Sequence, residues 1–252
     1  MLKKILTAIA LIVVVSGAHA ADNADKTVRA AIHSLLPLAV IDTVVKSNLP
    51  GFYEVIISGQ IVYVTADGKY LLQGNLYNVP DKKDMTSARI AAIREQAIKQ
   101  LPASKQIIFA AKNPKHTVTV FTDLDCPYCR AFNKNVAAFN NAGISVNYVM
   151  FPLDIHPGAE KAAVAIWCAA DRKTALNEAM DGKNPGNATC KNPVAETKAL
   201  GVSLGINATP TVLAEDGTSV NLNKAQSPQA FMAELDRLAA ASKGNPDKLA
   251  GR

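Results

Sequence analysis

The sequence predicts an α+β protein made of two units joined by a helix, and three observations carry that prediction. Short strand-like apolar runs with a turn signal crowd residues 40–78. A helical pattern then runs over 84–100 to Pro102, and strands and helices alternate from about residue 106. The resulting organisation is a leader over 1–20, a small N-terminal α+β unit over 21–82, a linker helix within 83–104, a C-terminal unit over 105–245 and a flexible tail over 246–252.

The leader comes first. Lys3 and Lys4 precede an apolar run from Ile5 to Val15, and Ala18-His19-Ala20 has the small-x-small form of an export cleavage site. The apolar run is too short to span a bilayer, so the expectation is export with cleavage after Ala20. Loss of Lys3 and Lys4 would lower the net charge from +6 to +4. The surplus is dispersed, with no block of five or six like charges, which argues against a nucleic-acid arm. Aromatics are 6% of the chain, thin for a base-stacking platform.

In the first unit, residues 24–36 read as a helix with Val28, Ala31, Ile32 and Leu35 on one face. Strands are expected at 53–57, 60–65 and 69–73. Asp67-Gly68 supplies the hairpin turn between the last two, where positive φ is needed. A unit of this size is near the lower limit for burying its own core. Its apolar strand edges are suited to pairing with a second copy. Over 84–100, Ile90, Ile93 and Ala97 share a face opposite Arg89, Arg94 and Glu95. That pattern suits a linker helix, with a core helix of the second unit as the alternative.

In the second unit, strands are expected at 105–110, 116–123 and 144–150, with a helix over 127–141 ended by Gly143. Helices near 158–180 and 194–204 form a helical insertion. Strands at 211–214 and 219–222 flank Asp216-Gly217, and a final helix starts at Ser227-Pro228 with Phe231, Leu235 and Leu238 on its apolar face.

The chemistry concentrates at Cys126-Pro127-Tyr128-Cys129, where a strand hands over to a helix. A strand–C-x-x-C–helix junction is the thioredoxin-like arrangement. Cys126 would sit at a helix N-terminus, whose free N–H groups and dipole favour an anionic sulfur, the attacking form in disulfide exchange. Pro127 suits the first helical turn, since its missing N–H is not needed there. Cys129 would resolve a stalled mixed disulfide, and Tyr128 would modulate the site locally. Of the flanking carboxylates, Asp125 is expected to cap the helix, and Asp123 either to cap or to tune proton balance. Cys168 and Cys190 are read as a structural disulfide across 22 positions, with a second redox site as the alternative, and the bridge would contribute about 3 kcal/mol in the chain-entropy model. A zinc site would want a second close Cys or His pair, so neither metal nor cofactor is expected. Pro210, in Ala208-Thr209-Pro210-Thr211, reads as an ordinary trans turn from the residues alone. His33, His116 and His156 receive no role; His156, before Pro157, reads as a surface loop residue.

Four runs together resemble the DsbC/DsbG family of periplasmic disulfide isomerases: residues Thr65 to Gly74, Phe121 to Cys129, Ile166 to Ala169 and Leu204 to Pro210. The resemblance covers nearly the whole chain beyond the leader. It implies a homodimer paired through the N-terminal units, with two thioredoxin-like domains facing a cleft that binds misfolded disulfide-containing proteins. It further implies a dithiol kept reduced by a membrane reductase resembling DsbD, and a cis Thr209-Pro210 bond beside Cys126 and Cys129 offering backbone hydrogen bonds to substrate. Pro127-Tyr128 is the dipeptide of the DsbG branch, whereas the Cys168/Cys190 pair resembles the DsbC branch. The expected activity is thus thiol–disulfide isomerisation and reduction with chaperone-like binding. The alternatives are a DsbG-like reductase or chaperone, a DsbA-like dithiol oxidase, which Pro127 suggests, and a holdase whose thiols are secondary.

Overall fold

The computed structural model of the chain describes residues 16–243. The chain divides into two compact units: residues up to Ile57 with Val62–Gln73, and Ser58–Ile61 with Gly74 onward. Residues 1–15 of the expected leader and the expected tail lie outside the described residues. The expected cleavage point after Ala20 falls within the first helix.

In the first unit, helix α1 (Ser16–Leu35) precedes strands β1 (Ile41–Lys46), β2 (Phe52–Ile57), β3 (Gln60–Thr65) and β4 (Leu71–Gln73), in sheet order β1-β2-β3-β4. Val28 and Ile32 from the helix bury against Tyr53, Val55, Val62 and Val64 of the two central strands. The Asp67-Gly68 turn joins β3 to β4 as expected. Gly68 has φ +71°, and the Asp67 carboxylate accepts the Lys69 N–H and the Thr65 hydroxyl. The Lys69 start predicted for the last strand is corrected to Leu71, because residues 67–69 are spent on the turn. Strand β1 has no counterpart in the sequence prediction. Its ladder to β2 shifts register between Ile41 and Thr43, and four of its six side chains are exposed, so it lacks an alternating apolar pattern.

The second unit opens with a short hairpin, β5 (Tyr77–Asn78) and β6 (Lys83–Asp84), which leads into helix α2 (Met85–Gln100). Asp84 caps α2 by accepting the Ser87 N–H. The helix is packed within this unit. Ile93, Ala97 and Ile98 lie against a cluster of Phe121, Val149, Phe151, Leu204, Ile206 and Leu213. Arg94 donates from Nε to the Leu204 carbonyl (3.0 Å) and from Nη1 to the Ser219 hydroxyl (2.8 Å).

There follow β7 (Ile107–Phe109), β8 (His116–Thr122), α3 (Pro127–Asn133), α4 (Val136–Ala142), β9 (Ile144–Met150), α5 (Ala159–Trp167), α6 (Arg172–Met180), α7 (Val194–Ser203), β10 (Thr211–Leu213) and α8 (Pro228–Lys243). The sheet order is β10-β8-β9-β7, with β8 and β9 parallel and the outer pairings antiparallel. β8 is buried on both faces from Val118 to Thr122, with Val118 and Val120 in one cluster and Phe121 in the other. On one side it meets Phe132, Phe139 and Phe231, whose rings pack edge-on or tilted at 4.9–6.1 Å.

Three predicted elements are corrected. The helix over 127–141 breaks at Lys134-Asn135, where the turn tightens to a Phe132 carbonyl bond and the Asn135 amide reaches back to the Ala131 carbonyl. The helix over 158–180 is two helices, because Asp171 starts a new N-cap by accepting the Lys173 and Thr174 N–H groups. The strand over 219–222 reduces to one bridge from Ser219 to Leu213. The chain then turns into a 3-10 segment at Leu222–Lys224, which the Asn221 side chain caps.

Candidate active site

β8 delivers the chain to its C-terminal end at Thr122, and α3 begins at Pro127 with Cys126 as its N-cap residue. Cys126 therefore stands at the positive end of the α3 dipole, although its side chain makes no cap hydrogen bond. Pro127 stands at the first helical position, where it costs no hydrogen bond. Both thiols are free, with Cys126 5% and Cys129 1% exposed. Tyr128 between them is 75% exposed and points away from the core.

The turn before β10 closes the site. The Thr209–Pro210 peptide is cis, contrary to the trans turn read from the residues alone and in line with the family resemblance. The Cys126 thiol donates to the Thr209 carbonyl at 3.0 Å. Beneath, the Cys129 sulfur accepts the Asp123 N–H at 3.5 Å. Burial pushes the Cys129 thiol up to about 12, and a charge on Cys126 adds to this. The Asp123 N–H and the Thr122 and Thr209 hydroxyls oppose it. The two sulfurs thus differ in kind: one stands at a helix N-terminus beside a peptide carbonyl, the other is held as a buried thiol.

The carboxylates behave differently from the sequence expectation. Asp125 does not cap α3; its carboxylate lies 3.4 Å from an Arg130 guanidinium nitrogen, and Arg130 Nε also donates to the Leu124 carbonyl. Asp123 is buried instead, accepting the Asp125 N–H at 2.7 Å and the Leu153 N–H at 2.6 Å. It thereby ties the active-site loop to the segment after β9. His156, a surface loop residue by its sequence pattern, stands instead beside this carboxylate with Nδ1 3.1 Å away. No motif links residues 33 positions apart, so only the packing could reveal the pair. His116 pairs with Asp236 at 2.8 Å.

Cys168 and Cys190 form a disulfide with an S–S distance of 2.04 Å and Cα atoms 5.6 Å apart, joining the end of α5 to the segment before α7. Among the described residues, no three His, Cys, Asp or Glu side chains cluster as metal ligands. Also among the described residues, no helix is long and apolar enough to cross a membrane.

Two family models match the chain: a disulfide bond isomerase N-terminal domain over residues 17–87 and a thioredoxin-like domain over 103–239. The thiol:disulfide interchange protein DsbC of Escherichia coli K12 is 37% identical over 173 residues, covering 68% of this chain and 71% of that protein. The chain belongs to the DsbC family. The DsbC of Dickeya dadantii is 35% identical over 204 residues (78% of this chain, 81% of the relative), and that of Salmonella typhimurium 33% over 221 residues (86% and 89%). Among solved structures, a disulfide interchange protein from Neisseria gonorrhoeae is 37% identical. It covers 45% of this chain and 81% of its own, with a TM-score of 0.42. As a DsbC-family protein, the chain is a thiol–disulfide oxidoreductase with an α+β fold and a thioredoxin-like C-terminal unit.

Proposed function

We propose that this DsbC-family chain is a periplasmic thiol–disulfide isomerase and reductase that works through Cys126 and Cys129. The observation that carries the proposal is the position of the Cys126 sulfur: at the N-terminus of α3 and 3.0 Å from the Thr209 carbonyl beside the cis Pro210. The Cys126 thiolate attacks one sulfur of a non-native disulfide. A bond forms from Cys126 to that sulfur, and the other substrate sulfur leaves as a thiolate. That thiolate can attack elsewhere in the substrate, and a later exchange releases Cys126 with the substrate disulfides rearranged. When rearrangement stalls, Cys129 attacks Cys126, and the enzyme leaves oxidised and the substrate reduced. A reductase resembling DsbD would then restore the dithiol. Thr209 and Pro210 stand beside Cys126, where a substrate strand would lie. Pro127 shapes the helix start, and the exposed Tyr128 meets the substrate.

The N-terminal unit serves as a homodimerisation domain in this proposal. Its match to the isomerase N-terminal domain supports this, as does edge strand β4, where Leu71 and Leu72 are 38% and 49% exposed. Misfolded disulfide-containing proteins are the partners, held through apolar contacts in a chaperone-like manner. The Lys3/Lys4 and Ile5-to-Val15 leader pattern and the Cys168–Cys190 disulfide support an oxidising, periplasmic compartment. The DsbG-like and DsbA-like alternatives are not favoured, because the curated relatives are DsbC proteins.

The test is recovery of a scrambled, fully oxidised multi-disulfide substrate by the mature protein. Recovery lost in Cys126→Ala is the expected result. No recovery, together with rapid oxidation of reduced substrate, would move the assignment to a dithiol oxidase.

A further inference from the structure

The Asp123 side chain has no exposed surface, and a buried carboxylate is costly without a countercharge. Two neutral donors reach it: the Asp125 N–H at 2.7 Å on Oδ1 and the Leu153 N–H at 2.6 Å on Oδ2. Among the described residues, the basic side chain within ion-pair distance is His156, whose Nδ1 lies 3.1 Å from Oδ2. That nitrogen is sealed from solvent and has no hydrogen-bond partner. Without a proton it would set its lone pair against the carboxylate; with one the contact is attractive. The backbone of His156 is held by its own turn. Its N–H donates to the Leu153 carbonyl at 3.0 Å, and its carbonyl accepts the Ala159 N–H at 3.1 Å. Asp123 in turn meets the dithiol. Its N–H lies 3.5 Å from the Cys129 sulfur, and the Asp125 N–H it holds belongs to the residue before Cys126.

We propose that His156 is a positioning residue of the dithiol: its protonated ring pairs with buried Asp123 and offsets the negative charge that this carboxylate sets against the Cys126 thiolate. The proposal rests on the reading of Cys126 as the attacking thiol. A carboxylate in the loop that carries Cys126 disfavours a second negative charge there. With the imidazolium beside it the pair is neutral, and the N-terminus of α3 favours the thiolate unopposed. When the ring loses its proton, the carboxylate stands alone and the thiolate is harder to form. The His156 side chain keeps 24% of its surface exposed, which gives that proton a route to solvent. The neighbouring cations already have carboxylates of their own. Arg130 of α3 faces Asp125, and Lys198 of α7 is shared by Asp154, in the same segment as His156, and Glu160 of α5. His156 is the group placed to compensate Asp123.

The experiment measures the rate at which iodoacetamide alkylates Cys126 in the reduced protein across pH, with the site confirmed by peptide mass. His156→Gln keeps a polar side chain without the titrating charge. The expected result is a profile displaced to higher pH, about fivefold slower on its rising limb and converging with wild type at the alkaline end. Asp123→Asn removes the opposing charge and should displace the profile to lower pH. Loop damage alone would not move the two variants in opposite directions. A folded His156→Gln protein with an unchanged profile would overturn the proposal, as would displacement of both variants the same way. If His156→Gln does not fold, the His156 ring titration decides, followed by NMR in wild type and Asp123→Asn. Its midpoint should fall when the carboxylate is lost, and equal midpoints overturn the pairing. Alkylation needs no protein substrate. Opposite displacements in a protein that fails to rescue a scrambled substrate would support the pair and count against the isomerase reading alone.

Discussion

His156 Nδ1 lies 3.1 Å from the carboxylate of Asp123, a side chain with no exposed surface. The nitrogen is close enough for an ion pair but not aligned for a hydrogen bond. The firm bonds of Asp123 are therefore those from the Asp125 and Leu153 N–H groups. Through them one carboxylate holds both the loop that carries Cys126 and the segment that follows β9.

Asp123→Ala would leave two part-buried N–H groups without their acceptor. The expected loss is about 1–3 kcal/mol of stability, the cost of two lost hydrogen bonds at part-buried donors. Asp123→Asn retains an acceptor oxygen and should cost less. Urea unfolding midpoints of the two variants check the order; equal midpoints would show that these bonds contribute little.

Replacing both Cys168 and Cys190 by Ala removes a crosslink with a sequence separation of 22. Stability should fall by about 3 kcal/mol, while Cys126-dependent exchange per folded molecule stays unchanged. An unaltered melting temperature with lost exchange would instead make this pair part of the redox machinery.

The reduced protein should lose stability in alkali. Burial raises the Cys129 thiol from 9.0 to about 12 in the folded state. Between those values the unfolded chain has released the proton while the folded chain keeps it, so stability falls as pH rises. The contribution is whole below about pH 9 and disappears toward about pH 12. Reduced wild type should therefore decline more steeply above pH 9 than Cys129→Ala in thermal melts, and parallel curves would contradict this.

Gly201 in α7 is a point of close approach. A Cβ built there would lie 2.4 Å from two ring carbons of Phe151, a buried side chain of the cluster under α2. Gly201→Ala should cost about 1–3 kcal/mol by overpacking. Gly201→Ala combined with Phe151→Leu should cost less than the sum of the two single changes if the ring contact is the cause.

Much of the architecture was legible from local pattern. β3 stands where its apolar run predicts it, β9 where period-two alternation does, and the start of α8 where the Ser227-Pro228 cap does. The C-x-x-C falls at the β8–α3 junction as expected, because a strand pattern ending four residues before a proline-started helix leaves little other geometry. The break at Lys134 was not legible, since the apolar spacing continues across it and the backbone alone changes. β1 was not legible either: as an exposed edge strand it carries no buried alternation.

The sequence by itself determined the chemistry available to this protein. It specified two cysteines at a helix start, a second pair far enough apart to crosslink, and an N-terminal unit with apolar strands. The tertiary structure alone decided which groups act on those sulfurs. Asp123 after β8 and the Thr209-Pro210 turn reach the two sulfurs, with His156 beside Asp123, and convergence of that kind has no period or spacing along the chain. It arises because burying both faces of β8 draws the loop at its end, the segment after β9 and the turn before β10 to one end of the sheet.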